Sequence, residues 1–377
     1  MKYYIIAGEA SGDLHAGNLI ASLKKKSTEA NFKGFGGEKM EEAGCSISLH
    51  YREMAFMGVW EVVQNYGKIR ANFNLCEQDI LDYKPDALIL VDYAGFNLRM
   101  AKFAKEHNIP TYFYISPKVW AWKKSRIKKI KAFVDRLFVI LPFEKDYFAQ
   151  RNYQVDYVGN PLIDAIEKFK SDFTPDRAKW NTENNIEDKP VLALLAGSRK
   201  QEIKRCLPEM LAATNDLGDY ERVIAGAPSI PESYYKQVIG DNKVKIVYNK
   251  TYELLSYANL AVVTSGTATL ETALFHVPEV VIYKTSWPTF IIARPFVWIK
   301  YFSLVNLIMD KLVVKELLQF NLTNKIKDEL DLLINNSQYK DTMVQNYADL
   351  SHRMGQPGTS DRTAGLIIEY QQKPLKN

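Results

Sequence analysis

The chain has 377 residues, more than one ordinary hydrophobic core supports, so two or three domains are expected. Its composition, 47% hydrophobic and 25% charged, is that of a globular protein, and a net charge of +5 falls short of what a dedicated nucleic-acid binder carries. Three scattered cysteines (Cys45, Cys76 and Cys206) have no ligand or redox spacing, the first eight residues are too short an apolar run for a signal peptide, and no uninterrupted apolar window of about eighteen residues suggests a membrane-spanning helix.

Short runs rich in β-branched and aromatic residues alternate with helical patterns along nearly the whole chain. Strands are expected over 3–7, 32–35, 87–91, 111–115, 137–141 and 155–158, then over 191–195, 222–225, 244–248, 260–264 and 280–283. Runs such as ALILV and LAVVT are apolar on both faces, as parallel strands covered by helices must be. The pattern predicts an α/β fold of two doubly wound parallel sheets with an interdomain cleft. The polar stretch 168–189 reads as the linker between a domain over 1–167 and another over 190–346, and a polar helix over about 347–377 is expected to rejoin the first.

In such sheets ligands bind beyond the carboxyl ends of the strands, so the loops there carry the functional reading. After the first strand comes GEASGD (8–13), in which Gly8 and Gly12 allow close approach and Ser11 and Asp13 suit a helix cap. It is neither a dinucleotide fingerprint nor a Walker A loop. Asp92 follows the strand over 87–91 and suits either a general base or a cap on the next turn; position alone leaves both open. The loop SPKVWAW (116–122) precedes the basic run 123–131, which reads either as a solvated helix face or as a contact for phosphate or lipid headgroups. In the second half, Gly197, Ser198 and Arg199 offer donors suited to a diphosphate. The turn Ser265, Gly266 and Thr267 offers N–H groups for an anion, and Glu271 suits hydroxyls such as a ribose pair or simply complements a helix dipole.

Taken together, GEASGD (8–13), FKGFGG (32–37), MAFMG (54–58), VDYAGFN (91–97), SPKVWAW (116–122), LPFEKDYF (141–148), VGNPLID (158–164), LAGSRKQEI (195–203), TSGTATLE (264–271) and SLVNLIMDKLVVKELLQ (303–319) resemble the lipid-A-disaccharide synthases, glycosyltransferases of the two-Rossmann GT-B fold. That resemblance implies inverting, metal-free transfer of 2,3-diacylglucosamine from UDP-2,3-diacylglucosamine to 2,3-diacylglucosamine 1-phosphate, giving a β-1,6-linked disaccharide 1-phosphate and UDP, with no cofactor. It implies an acceptor-side domain first and a UDP-sugar domain second. Asp92 would be the base, and Ser11 and Met57 would lie on the acceptor side. Arg199, Ser265, Gly266, Thr267, Glu271, Asn306, Glu316 and Gln319 would hold the nucleotide sugar. The sequence departs from the family pattern at Ala196 and Val305, where proline is usual, and at Asn160, where a histidine is usual. Of the five histidines only His15 lies near the expected site.

Acylated substrates further imply a peripheral place on the cytoplasmic side of a Gram-negative inner membrane. Trp60 in one patch, and Trp287, Arg294, Trp298 and Lys300 in another, suit an anionic leaflet, or alternatively a core or homodimer interface. Three alternatives remain: another UDP-sugar enzyme of this fold such as a 2-epimerase, a non-catalytic sugar-nucleotide sensor, and, least supported, a nucleic-acid binder.

Overall fold

The computed structural model describes residues 1–54, 66–121, 125–285 and 300–372. The chain forms two compact units, one of Met1–Asp164 with Gln356–Asn377 and one of Ala165–Gly355.

In the first unit the elements run β1 (Lys2–Ala7), α1 (Ala10–Lys26), β2 (Asn31–Gly36), α2 (Glu38–Glu42), β3 (Ser46–His50), α3 (Tyr66–Tyr83), β4 (Ala87–Val91), α4 (Ala94–Glu106), β5 (Thr111–Tyr114), α5 (Arg126–Phe133), β6 (Arg136–Val139), α6 (Pro142–Ala149), β7 (Asp156–Tyr157) and the start of α7 (Pro161–Asp172). Among the described residues its strands form one sheet in the order β3-β2-β1-β4-β5-β6-β7, with parallel pairing throughout. Period-two alternation sends Tyr4, Ile6, Leu88 and Leu90 into one apolar layer and Tyr3, Ile5, Ile89 and Val91 into the other. Both faces are therefore covered, which is why these strands read as continuous hydrophobic runs.

The second unit runs α8 (Arg177–Asn184), β8 (Val191–Leu195), α9 (Lys200–Thr214), β9 (Glu221–Gly226), α10 (Glu232–Ile239), β10 (Lys245–Tyr248), α11 (Thr251–Tyr257), β11 (Ala258–Thr264), α12 (Thr267–Leu274), β12 (Glu279–Tyr283), α13 (Leu304–Met309), β13 (Glu316–Leu318), α14 (Leu322–Asn335) and α15 (Ser337–Met354). Its parallel sheet has the order β10-β9-β8-β11-β12-β13. The chain then returns to the first unit as α16 (Thr359–Gln372), which packs on α1 and places Ala364 and Ile367 in the first unit's core. Asp164 accepts from the N–H groups of Gly358 and Thr359 (2.6 and 3.0 Å) and so caps that returning helix.

Three features depart from the sequence reading. The stretch 168–189, expected as a linker, carries the end of α7 and all of α8, and Trp180 is buried in the core beside β8. One buried tryptophan anchors a helix whose other residues are polar apart from Ala178, so composition reads as a tether. The tail joins the first unit from Gln356 rather than from about 347, because Tyr347 and Leu350 of α15 are buried within the second. Strands β3 and β13 were not expected: β3 lies at the sheet edge and is half-buried on both faces, and β13 is only three residues long. Among the described residues no helix is long and apolar enough to cross a membrane.

Candidate active site

Each sheet has a topological switch point, between β1 and β4 in the first unit and between β8 and β11 in the second. At such points adjacent connections run to opposite faces and leave a crevice beyond the strand ends. Four of the five loops that the sequence singled out for chemistry lie there, two in each unit, and the fifth, SPKVWAW, follows β5.

In the first unit, Asp92 and Tyr93 follow β4 with φ of 46° and 43°. Two successive non-glycine residues in the left-handed region are strained, a state that surrounding contacts must hold. The contacts are present. Asp92 N–H donates to the Tyr114 carbonyl (3.1 Å), and buried Asn97 donates from Nδ2 to the carbonyls of Asp92 (2.7 Å) and Val91 (3.2 Å). Tyr93 donates its hydroxyl to the Met54 carbonyl (2.7 Å), while its ring fills the space above Gly8, where a Cβ would lie 2.2 Å from Cδ1. That contact explains the glycine opening GEASGD. Burial raises the Asp92 carboxyl above its ordinary range, and the charges of Lys118 and Arg126 and the Tyr93 backbone partly offset this.

The other residues of this end play supporting parts. Ser11 is exposed on the first turn of α1. Asp13, expected as a cap of its own helix, instead accepts from the N–H groups of Gly37 (2.7 Å), Lys39 (2.9 Å) and Met40 (3.1 Å), joining α1 to the start of α2. His15 is pushed down to about 4 by burial and is therefore neutral at pH 7. Asn160 donates from Nδ2 to the Ile140 carbonyl and accepts from Leu162 N–H, so it caps α7.

Glu144 is a residue whose part the sequence did not disclose. Its side chain is buried and accepts from the Trp120 indole (3.2 Å) and from Leu141 N–H (3.1 Å). Burial pushes it up to about 7 against the pull of those donors and of Lys118. Tyr147 adds a hydrogen bond to the Val119 carbonyl (3.1 Å), and Phe143 meets Trp120 edge to face. Helix α6 thus anchors the loop that brings Lys118 near Asp92. The local signal was present, since Glu144 is the third residue after the helix-capping position Leu141.

In the second unit, Gly197 (φ 102°) turns the chain after β8. The N–H groups of Ser198 and Arg199, expected as free donors, point instead at Glu202 Oε2 (3.1 and 3.3 Å), and Arg199 pairs with Glu202 Oε1 (3.2 Å). The Arg199 side chain is two-thirds exposed (66%), and an exposed pair of this kind is weak and readily exchanged. Beyond β11, Ser265 N–H donates to the Ile282 carbonyl and Ser265 Oγ to the Phe302 carbonyl, while Gly266 and Thr267 are exposed at the start of α12. Glu271 accepts from the Tyr252 hydroxyl (3.1 Å), burial raises its carboxyl, and both residues line a cavity of about 370 Å³. Tyr252 had no sequence signal.

Asn306, Glu316 and Gln319 come together beside the Ser265 turn, but they build the wall rather than offer free groups. Asn306 is fully buried and saturated: Nδ2 donates to the Val314 carbonyl and Glu316 Oε1, and Oδ1 accepts from Val313 and Val314 N–H. Glu316 also accepts from Phe302 and Ser303 N–H. Gln319 exchanges two bonds with the Thr285 backbone. None of the polar capacity of the Asn306 side chain is left over in this arrangement. Lys300 is exposed and pairs with Asp310 at 3.3 Å. Met57, Trp60, Trp287, Arg294 and Trp298 lie outside the described residues. Among the described residues no three His, Cys, Asp or Glu side chains cluster as metal ligands.

A family model described as lipid-A-disaccharide synthetase matches residues 3–364. A lipid-A-disaccharide synthase of Syntrophus aciditrophicus is 35% identical over 97% of this chain and 96% of its own length. One of Myxococcus xanthus is 35% identical over 98% and 97%. Among solved structures, UDP-GlcNAc 2-epimerase of Neisseria meningitidis bound to UDP-GlcNAc superposes with a TM-score of 0.62 at 16% identity, over 99% of this chain and 100% of that one. The calicheamicin glycosyltransferase CalG4 gives 0.60 at 14%, over 99% and 98%. The likeness to these structures is one of GT-B fold.

Proposed function

Because the chain belongs to the lipid-A-disaccharide synthase family and is a GT-B glycosyltransferase, we propose that it transfers 2,3-diacylglucosamine from UDP-2,3-diacylglucosamine to 2,3-diacylglucosamine 1-phosphate with inversion. The observation that carries this reading is Asp92, a carboxylate held in strained backbone at the first sheet's switch point, with two cations near it and its basicity raised by burial.

The acceptor 6-hydroxyl loses its proton to Asp92 as its oxygen bonds the donor's anomeric carbon. The bond from that carbon to the diphosphate oxygen breaks, and the electron pair leaves on UDP. A base whose strength lies nearer the working pH takes up the proton more readily, which is what the raised carboxyl offers. In the donor unit the Ser265–Thr267 backbone and Arg199 receive the growing diphosphate charge, once Arg199 exchanges Glu202 for phosphate oxygens. Glu271, with Tyr252 beside it, accepts from the ribose hydroxyls. Glu316 and Gln319 act on the donor site by fixing its wall. We assign the first unit to the acceptor and the second to the UDP-sugar, with peripheral attachment to the cytoplasmic face of the inner membrane.

The test is disaccharide formation from the two acylated substrates in detergent with EDTA, by wild type, Asp92→Asn and Glu271→Gln. Wild-type turnover that survives EDTA, with Asp92→Asn reduced about 10²–10⁴-fold in kcat and Glu271→Gln altered mainly in donor KM, supports the reading. No product from folded wild type sinks it. An active Asp92→Asn moves the base elsewhere.

A further inference from the structure

A cavity of about 730 Å³ opens on the first unit between α4 and α5, within the size range of small-molecule sites. Arg99 and Lys102 of α4 and Arg126, Lys128 and Lys129 of α5 line it, and no carboxylate is among its described lining residues. Gly95, Arg99 and Lys102 recur at the spacing that puts side chains on one helix face, and so do Arg126 and Lys129 on the other helix. The groove is more than a solvated basic face, because Leu98 and Phe133 give it an apolar floor. Two of the cations are partly committed: Arg99 stacks on Phe73 and pairs with Glu77 (3.6 Å), and Lys102 pairs with Glu106 (3.5 Å). No ion pair of Lys128 or Lys129 is found among the described residues.

The groove begins at Ala94, two residues after Asp92, and Arg126 belongs to both places, since its charge is felt by the Asp92 carboxyl. From Gly95 to Lys102 the helix rises roughly 10 Å. A ligand with a hydroxyl at Asp92 can therefore lay a distant anionic group among the lysines.

We propose that this groove is the subsite for the acceptor's phosphate, binding a phosphomonoester carried on the acylated sugar whose hydroxyl lies at Asp92. A phosphomonoester carries close to two negative charges and several strong acceptor oxygens, which suits a converging set of cations. The apolar floor receives the carbon face of the sugar. The proposal rests on the reading above that the acceptor is a sugar phosphate.

The test compares wild type with Lys128→Gln/Lys129→Gln and with Lys102→Gln, in neutral detergent micelles free of phospholipid. Each is assayed with the phosphorylated acceptor and with the same acylated sugar lacking the phosphate. The double variant is expected to raise acceptor KM at least about tenfold, leaving donor KM and kcat near wild type, and to match wild type on the acceptor without phosphate. Equal KM values on the phosphorylated acceptor overturn the proposal, as does an equal loss on both acceptors. A defect seen only in vesicles that contain phosphatidylglycerol also overturns it and gives the groove to bilayer headgroups. Calorimetric titration with glucosamine 1-phosphate separates this proposal from the assignment of the reaction. Binding lost in the variant supports the groove even if wild type makes no disaccharide, and equal binding refutes it.

Discussion

Glu144 lends itself to a quantitative test because its titration is tied to a buried position. Its carboxyl rises from an ordinary 4.5 to about 7, chiefly through burial, so the folded protein holds this proton more tightly than the unfolded chain does. The contribution to stability is then fully present below about pH 4.5 and is lost as pH climbs towards 7. At 1.36 kcal/mol for each tenfold change in proton affinity, the loss is about 3 kcal/mol. Replacing Glu144 with glutamine removes the titration while keeping one acceptor oxygen for the Trp120 indole or the Leu141 N–H. Urea unfolding of both proteins from pH 4.5 to 8, followed by tryptophan fluorescence, reports the difference between them and cancels the other titrating groups. The stability of wild type relative to the variant should be highest at the acid end and should fall by about 3 kcal/mol by pH 8. A difference that stays flat across this range would refute the argument that burial governs this carboxyl.

Glu279 is fully buried on β12, its two oxygens have no hydrogen-bond partner among the described residues, and its carboxyl is pushed well above the usual range by burial. Glu279→Met should therefore raise stability at pH 8 by about 1–3 kcal/mol, and a lower melting temperature would contradict this. Gly8→Ala drives a methyl into the Tyr93 ring and should lower kcat by roughly a hundredfold through displacement next to Asp92. The double variant with Tyr93→Ala should recover part of the loss, and failure to recover any would locate the damage elsewhere. Lys118 holds the Asp92 carboxyl down, so Lys118→Ala should move the acid limb of the kcat/KM profile to higher pH; a limb that stays put or moves down removes Lys118 from the site.

What could be read from the chain follows from how local each signal is. The strands beside the switch points are apolar on both faces and end in loops with glycine or a lone carboxylate, so ALILV followed by Asp92 was legible without any partner in view. Strand β13 was not, because three residues make no periodic pattern, and their place in the sheet comes from pairing with β12. Glu202 was half-legible: its spacing from Arg199 is that of a cap, but that it takes up the very N–H groups assigned to a diphosphate is a matter of side-chain geometry. Asn306 is the converse case: an asparagine in a shared motif reads as a ligand contact, and its four hydrogen bonds to the wall are visible only in the folded chain. The basic run on α5 was visible, whereas Arg99 and Lys102 gained meaning only once α4 lay beside it.

The return of α16 to the first unit has a consequence for how the protein is made. A ribosome delivers β1 through β7 early, and α1 covers part of one face of that sheet at once, but the layer that Tyr3, Ile5 and Leu19 begin is completed by Ala364 and Ile367 only when residues 359–372 emerge. The second unit has no such debt: all of its strands and helices are contiguous in the chain. It can therefore close first, although it is synthesised second, leaving part of one apolar face of the nascent first unit uncovered for most of translation. During that interval the growing chain is most exposed to chaperones and to aggregation.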